Sequence, residues 1–328
     1  MATPFGTNII TSLSRRYILP TLVDVTYHSN PLFFRMNARN RKVLQGGLQI
    51  EVPIVYKAMA AGGFYQGFDV LDTSPSDTVL NAAWDWRQAD VPVSIDGLSL
   101  IRADSPEAVV NLLSFLFEQA QTQLADILGT GVWSDAKTNL KSIDGLAGAV
   151  DDGTTTVTYG GINRTTFPFW KSTIQASNTT PFTTNGLTSM QALFQTLTDG
   201  GRHPTIIPAN AGAYNLYWST STPGQSFPVQ PMGHDEQLAQ NGFSNLLFNL
   251  VPLLVDSHIP LTSTPSTQFY MFFLNEDYLY LYVNPRADFS MREFREPVNQ
   301  DAMVAFVLWA GNLICVNPAR QGKFIAVT

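Results

Sequence analysis

Four histidines (His28, His203, His234 and His258) and a single cysteine (Cys315) are the side chains here best suited to metal or nucleophilic chemistry. They are scattered. No histidine has a second His or a Cys at the short spacing that would put two ligands on one metal. The densest group, His234-Asp235-Glu236, follows Pro231 and Gly233 and reads as a polar loop. A hydrolase built on 231–236 is the distant enzymatic alternative. Asp151-Asp152-Gly153 offers two carboxylates to a cation, but the glycine after them reads as a surface turn. There is no glycine-rich phosphate loop with a trailing Lys-Ser/Thr, no G-x-G-x-x-G after a strand, and no G-x-S-x-G elbow. Gly160-Gly161 and Gly200-Gly201 read as turns. Cys315 sits in an apolar stretch, Val304 to Val316, and reads as small core filler. The expectation is a chain with no catalytic residue, no metal site, no cofactor and no enzymatic role.

The elements around these residues are more informative than the residues themselves. Leu48, Ile50, Val52, Ile54 and Tyr56 alternate with Gln49, Glu51, Pro53 and Lys57, which predicts a strand with Pro53 on an exposed edge. A return strand is expected over 83–96, where Trp84 and Trp86 share a face and Val91, Val93 and Ile95 alternate. Residues 58–82 between them are rich in Gly, Ala, Ser and Asp, a long connection for a compact domain. Two edge strands with a loose tip bury little by themselves and call for a partner surface.

One long helix follows. Ser105 is placed to cap it, Pro106 to open it and Glu107 to favour its dipole. Val109, Leu112, Leu113, Leu116, Phe117, Ala120, Leu124, Ile127 and Leu128 form one stripe at helical spacing, and Gly129 stands where the helix would stop. The span is 105–128, roughly 36 Å at 1.5 Å per residue. Asn111, Gln119, Gln121 and Gln123 make the other face polar and almost uncharged. Residues 138–267 read as mixed α/β. Helices are expected at Leu187–Leu197 and Ala211–Trp218, a short buried strand at Pro204–Pro208, and a central strand within Phe243–Val255. Ser/Thr/Pro/Gly-rich loops at 175–186, 219–233 and 261–267 separate them. From 268 the pattern is β, with strands at Phe269–Phe273, Tyr278–Val283, Met303–Leu308, Leu313–Val316 and Phe324–Val327.

With 45% hydrophobic and only 14% charged residues, the chain can build a large core but has little charge to keep its surface in water. Covering that surface with further copies of itself is one solution. Net charge is −7 overall, but residues 1–57 carry seven basic groups against Asp24 and Glu51, a net of +5 that leaves −12 on the rest. A basic arm on an acidic body suits an acidic neighbour, a scaffold or nucleic acid. The acidic body argues against a dedicated sequence reader of DNA. Neither a secretory signal nor a membrane span is legible, so a soluble, cytosolically made protein is expected. The triplets at Asn163 and Asn178 then have no glycosylation role. Trp84, Trp86, Trp170 and Trp309 read as core or interface anchors.

Several segments in chain order resemble the major capsid proteins of tailed bacteriophages with the Hong Kong 97 fold. Gly67-Phe68-Asp69-Val70-Leu71-Asp72, Ala83-Trp84-Asp85-Trp86-Arg87-Gln88 and Val91-Pro92-Val93-Ser94-Ile95-Asp96-Gly97-Leu98 look like that family's extended loop and return strand. The helix from Ser105 is similar to its spine helix. Asp144-Gly145-Leu146-Ala147-Gly148-Ala149-Val150, Gly160-Gly161-Ile162-Asn163-Arg164 and Pro168-Phe169-Trp170 look like the start of its axial domain. Pro297-Val298-Asn299-Gln300-Asp301, Gly311-Asn312-Leu313 and Asn317-Pro318-Ala319-Arg320 resemble its C-terminal region.

The resemblance implies an α+β fold with an N-terminal arm (1–35) and an extended β-hairpin loop (36–102, hairpin 46–96). It also implies a peripheral domain with the spine helix (103–137 and 268–328) and an axial α/β domain (138–267). It implies self-assembly of pentamers and hexamers into an icosahedral head around double-stranded DNA, touched without sequence preference. Implied partners are portal and scaffold proteins and a cement or decoration protein; no membrane is involved. The place is the virion, assembled in the host bacterial cytoplasm. Intersubunit contacts are expected from Arg15, Arg16, Phe33, Arg35 and Lys57, and from Phe64, Tyr65, Phe68, Trp84 and Trp86. The chain starts directly with the arm, so a separate scaffold is expected. Lys57 is the only lysine of the hairpin region, so Lys–Asn crosslinking is not. An encapsulin-like nanocompartment shell is the neighbouring alternative.

Overall fold

The alternation over 46–57 does build a strand, but its partner is shorter than the sequence pattern suggests. The computed structural model describes residues 31–59, 63–70, 74–98, 106–135, 139–176, 181–221, 245–260, 268–297 and 300–327. Helix α1 (Pro31–Arg39) leads to β1 (Arg41–Val43), the hairpin strands β2 (Gln49–Val55) and β3 (Val79–Asp85), and then β4 (Arg87–Asp96). The long helix α2 (Pro106–Val132) follows, then the short α3 (Leu146–Ala149), the small hairpin β5 (Thr158–Tyr159) and β6 (Ile162–Asn163), and β7 (Thr173–Ala176). Next come α4 (Phe182–Leu197), β8 (Ile207–Ala209), α5 (Ala211–Ser221), β9 (Asn245–Phe248) and β10 (Val251–Val255). The chain ends with β11 (Gln268–Phe273), β12 (Leu279–Val283), β13 (Ser290–Met291), β14 (Ala302–Cys315) and β15 (Gly322–Val327).

Two sheets organise these pieces. In the first, β14 is central. It pairs antiparallel with β4 on one side and with β12 and β13 on the other, and β1 adds parallel to β12. Its one face packs into a large apolar core with α1 and α2: Phe33 meets Trp309 edge-to-face at 6.3 Å, and Val91, Val93, Ile95, Ala305 and Val307 are buried. The second sheet has the order β7-β15-β11-β8-β10-β9. Its core with α4 and α5 centres on Phe182, Met190, Leu193, Met271, Phe273 and Phe324.

Five expectations change here. The return strand is two strands: β3 pairs with β2, and after Trp86 the chain turns so that β4 joins β14 instead. The helix does not stop at Gly129 but runs to Val132, and an added Cβ at Gly129 would lie 2.6 Å from the His258 ring. That glycine serves close approach, not termination. Helix α4 starts at Phe182, five residues early, with Gly186 giving room to the Phe182 ring 2.4 Å from an added Cβ. Likewise 302–315 is one strand across Gly311, where a side chain would strike the Tyr282 carbonyl at 2.5 Å. Finally, 243–255 is not a central strand. Asn249 and Leu250 at positive φ fold its described part into a β9–β10 hairpin at the sheet edge.

The C-terminal region also divides differently from the expected boundary. β11 and β15 belong to the six-stranded sheet, while β12, β13 and β14 belong to the five-stranded one. Phe117, Ala120, Leu124 and Leu128 of the helical stripe are buried, whereas Ile127 is exposed. Ser105 lies outside the described residues.

Candidate functional site

Asp151 and Cys315, two of the chemically suggestive side chains, have structural surroundings. Asp151 is buried and its Oδ2 accepts the backbone N–H groups of Gly153 (3.1 Å), Thr155 (3.2 Å) and Thr156 (2.6 Å). The same oxygen lies 3.7 Å from Arg164, which is fully buried. Arg164 donates to four carbonyls, those of Gly148, Ala149, Thr156 and Trp170, at 2.6–3.0 Å. A buried guanidinium is tolerated only when its donors are spent this way, so this pair fixes the 148–170 segment. Cys315 is buried, and burial pushes its thiol up to about 12, away from the reactive thiolate. His203 contacts the Pro204 carbonyl at 2.8 Å. His28 and the 231–236 loop lie outside the described residues. Among the described residues no group of three His, Cys, Asp or Glu could hold a metal.

What the surface offers instead is an apolar projection. The base of the β2–β3 hairpin is fastened to the chain's own body. Ile50, Ala82 and Trp84 are buried, Trp84 packs edge-to-face on Tyr159 at 5.7 Å, and Ala83 N–H bonds the Gly160 carbonyl at 3.0 Å. Tyr56 lies against Phe167 and Phe169, with centroids at 5.9 and 5.6 Å. Asn312 locks the bend after β3: its amide donates to Asp85 O (2.8 Å) and Asp144 Oδ2 (2.6 Å), and its Oδ1 accepts from the backbone of Asp144 and Leu313. Beyond this base several described residues of the tip face solvent. Met59, Phe64, Tyr65, Phe68 and Val70 are exposed, Phe64 and Phe68 completely. Several large apolar side chains exposed in one segment are unusual for a monomeric surface.

A second exposed feature was not anticipated. A groove of about 810 Å³ on the five-stranded sheet is lined by Arg286, Arg292 and Arg295, together with Gln88, Asp90, Glu293 and Phe306. All three arginines are exposed and none forms an ion pair among the described residues. Three arginines within ten residues is the sequence signal that could have found it.

The expected contact residues separate into three groups. Lys57, Phe64, Tyr65 and Phe68 are exposed, and Trp86 is partly buried with its indole N–H on the Gly47 carbonyl at 3.1 Å. Arg15 and Arg16 lie outside the described residues. Phe33, Arg35 and Trp84 are corrections: each is spent inside its own chain. Phe33 sits in the α1 core, Trp84 sits under Gly160, and Arg35 pairs with buried Glu276 at 2.6 Å. Three further basic residues of 1–57 also have partners within the chain. Arg39 approaches Glu276 at 3.8 Å, Arg41 pairs with Asp288, and Lys42 lies 3.7 Å over the Tyr280 ring.

No family model matches the sequence, and no curated protein matches it either. Solved structures do. A cyanophage A-1(L) capsid chain superposes with a TM-score of 0.58 at 16% identity, covering 92% of this chain and 93% of that one. The capsid of a native GTA particle gives 0.58 at 8% identity, covering 89% and 90%. A structure from Mycobacterium phage Ogopogo gives 0.52 at 11% identity, covering 90% and 92%. The chain has the Hong Kong 97-type capsid fold. The superpositions span about nine-tenths of this chain and of each of those chains. Among the described residues, no helix is long and apolar enough to cross a membrane.

Proposed function

We propose that this chain is the major capsid protein of a tailed bacteriophage, self-assembling as pentamers and hexamers into an icosahedral head. The observation that carries the reading is the bare hairpin tip on a chain of this fold. Phe64 and Phe68 are fully exposed in a single subunit and Tyr65 largely so, while the hairpin's base is anchored. A closed shell built from one subunit type needs large self-complementary contacts, and a projecting apolar tip supplies one half of such a contact.

The arginine groove supplies a fitting other half. The hairpin is acidic, with Glu51, Asp69, Asp72, Asp77 and Asp85 against Lys57 alone. Its charge therefore complements the groove, and Phe306 at the groove's edge gives the tip aromatics an apolar landing. In this reading 1–35 is the arm and 36–102 the extended loop. The five-stranded sheet with α2 is the peripheral domain, and the six-stranded sheet with α4 and α5 the axial domain. Portal, scaffold and decoration proteins and packaged double-stranded DNA are its further partners, the virion its place, and the host bacterial cytoplasm its site of assembly.

Electron microscopy of the purified protein tests the reading. Closed icosahedral particles are expected, and a monodisperse monomer under assembly conditions would overturn it. Nuclease-protected DNA in particles from infected cells separates a phage head from an encapsulin-like shell, which would hold protein cargo.

A further inference from the structure

His258 lies in the turn after β10, against the flank of α2, with a carboxylate at each ring nitrogen. Nδ1 is 3.2 Å from Oδ1 of Asp256, and Nε2 is 3.3 Å from Oδ1 of Asp126. The two carboxylates live in different surroundings. Asp256 is buried and also accepts the Trp133 indole N–H (3.1 Å) and the His258 backbone N–H (2.9 Å). Asp126, on α2, has a side chain that is 76% exposed. The ring rests on Gly129 of the same helix, close enough that no larger residue would leave it room. Trp133, just past the end of α2, packs on Phe272 of β11 at 4.9 Å. Helix, turn and six-stranded sheet therefore meet around one imidazole.

A neutral imidazole carries one N–H, so between two carboxylates it must aim a lone pair at one of them. Only the imidazolium donates to both. Asp256, through its hydrogen bond, is the main cause holding the His258 pKa above the ordinary histidine value, against a smaller lowering by burial. The charged groups facing the ring are Asp256 from its own turn and Asp126 from α2; Gly129 and Trp133 bring none.

We propose that His258 is a protonation-dependent tie, in which the imidazolium bridges Asp126 on the long helix to buried Asp256 at the end of β10, and loss of the proton frees the helix end. Burial sets which end lets go. Asp256 has no water to replace a lost donor, so the remaining proton stays on Nδ1. Asp126 is already in water and gives up its bond cheaply. The folded pKa is raised, so the stabilisation is complete below the unfolded value, about 6.5, and is lost as pH rises through the folded value.

The test is the melting temperature of the full chain from about pH 5 to pH 9, for wild type, His258→Gln and Asp126→Asn. The readout is on the dispersed chain, so the tie stands or falls separately from shell assembly. Wild type is expected to exceed His258→Gln by roughly 2 °C at the acid end, with the gap shrinking as pH rises. Asp126→Asn alters an exposed residue, so it folds even if the histidine variant does not. It is expected to move the wild-type transition to lower pH and to raise hydrogen exchange in 117–132 under acid conditions. Parallel wild-type and His258→Gln curves would overturn the proposal, as would an Asp126→Asn transition at the wild-type pH.

Discussion

At the scale of single residues, the chain spends its rare buried charges on holding segments together. Arg35 and Glu276 are both buried, and Glu276 also accepts the Thr205 hydroxyl at 2.8 Å. Removing Arg35 leaves Glu276 with Arg39 at 3.8 Å in place of its 2.6 Å partner, and breaking a buried pair typically costs about 3–5 kcal/mol. Arg35→Met is therefore expected to destabilise the subunit by about 3 kcal/mol in urea unfolding, and Glu276→Gln added to it to recover part of that loss. Such pairings were beyond sequence reasoning, which placed Arg35 on a surface. The partner is 241 positions away, and nothing local to α1 announces it. Glycines misled for a related reason. Gly129 and Gly311 look like stops by type, yet each marks a spot where another group comes too near for a side chain. Only the neighbour reveals that.

At the scale of elements, local periodicity was a good guide and pairing was not. The β2 alternation, the α2 stripe and the strands after 268 are legible because each period is set by the residue's own neighbours in sequence. That β4 leaves the hairpin for β14 depends on residues two hundred positions apart. The hairpin itself makes two predictions. Trp84 is an internal anchor, so Trp84→Ala should cost about 3–5 kcal/mol in stability, measurable by denaturant midpoint whether or not the protein assembles. The tip carries no such burden. Tyr56 N–H bonds the Thr78 carbonyl at 3.0 Å, which closes the ladder below the tip. Replacing 58–76 with a short Gly-Ser turn is expected to leave the unfolding midpoint within about 1 kcal/mol of wild type and to abolish particles by light scattering.

For the whole molecule, the sequence alone conveyed the Hong Kong 97-type fold class. It did not convey the arginine groove, whose residues come from β4, β14 and the 284–295 segment and meet only on folding. If the acidic tip of one copy enters that groove on the next, charge should control assembly. Reversing Asp69 and Asp77 to Lys is expected to stop particle formation. Reversing Arg292 and Arg295 to Glu in the same chain should restore it, with particle yield read by sedimentation. Raised salt should slow assembly of the wild type, since exposed pairs are screened over about 8 Å at physiological strength.

The long strand β14 has a mechanical side. A pull on the hairpin tip passes through β3, round the bend locked by Asn312, and into β4, which meets β14 over ten consecutive register pairs. Force along those strands loads the ladder in shear, so its hydrogen bonds resist together instead of unzipping in turn. On its other side β14 hands the load to β12 and β13. A wall built this way carries tension through backbone rather than through side-chain contacts, and it should yield first where copies touch, not inside the subunit.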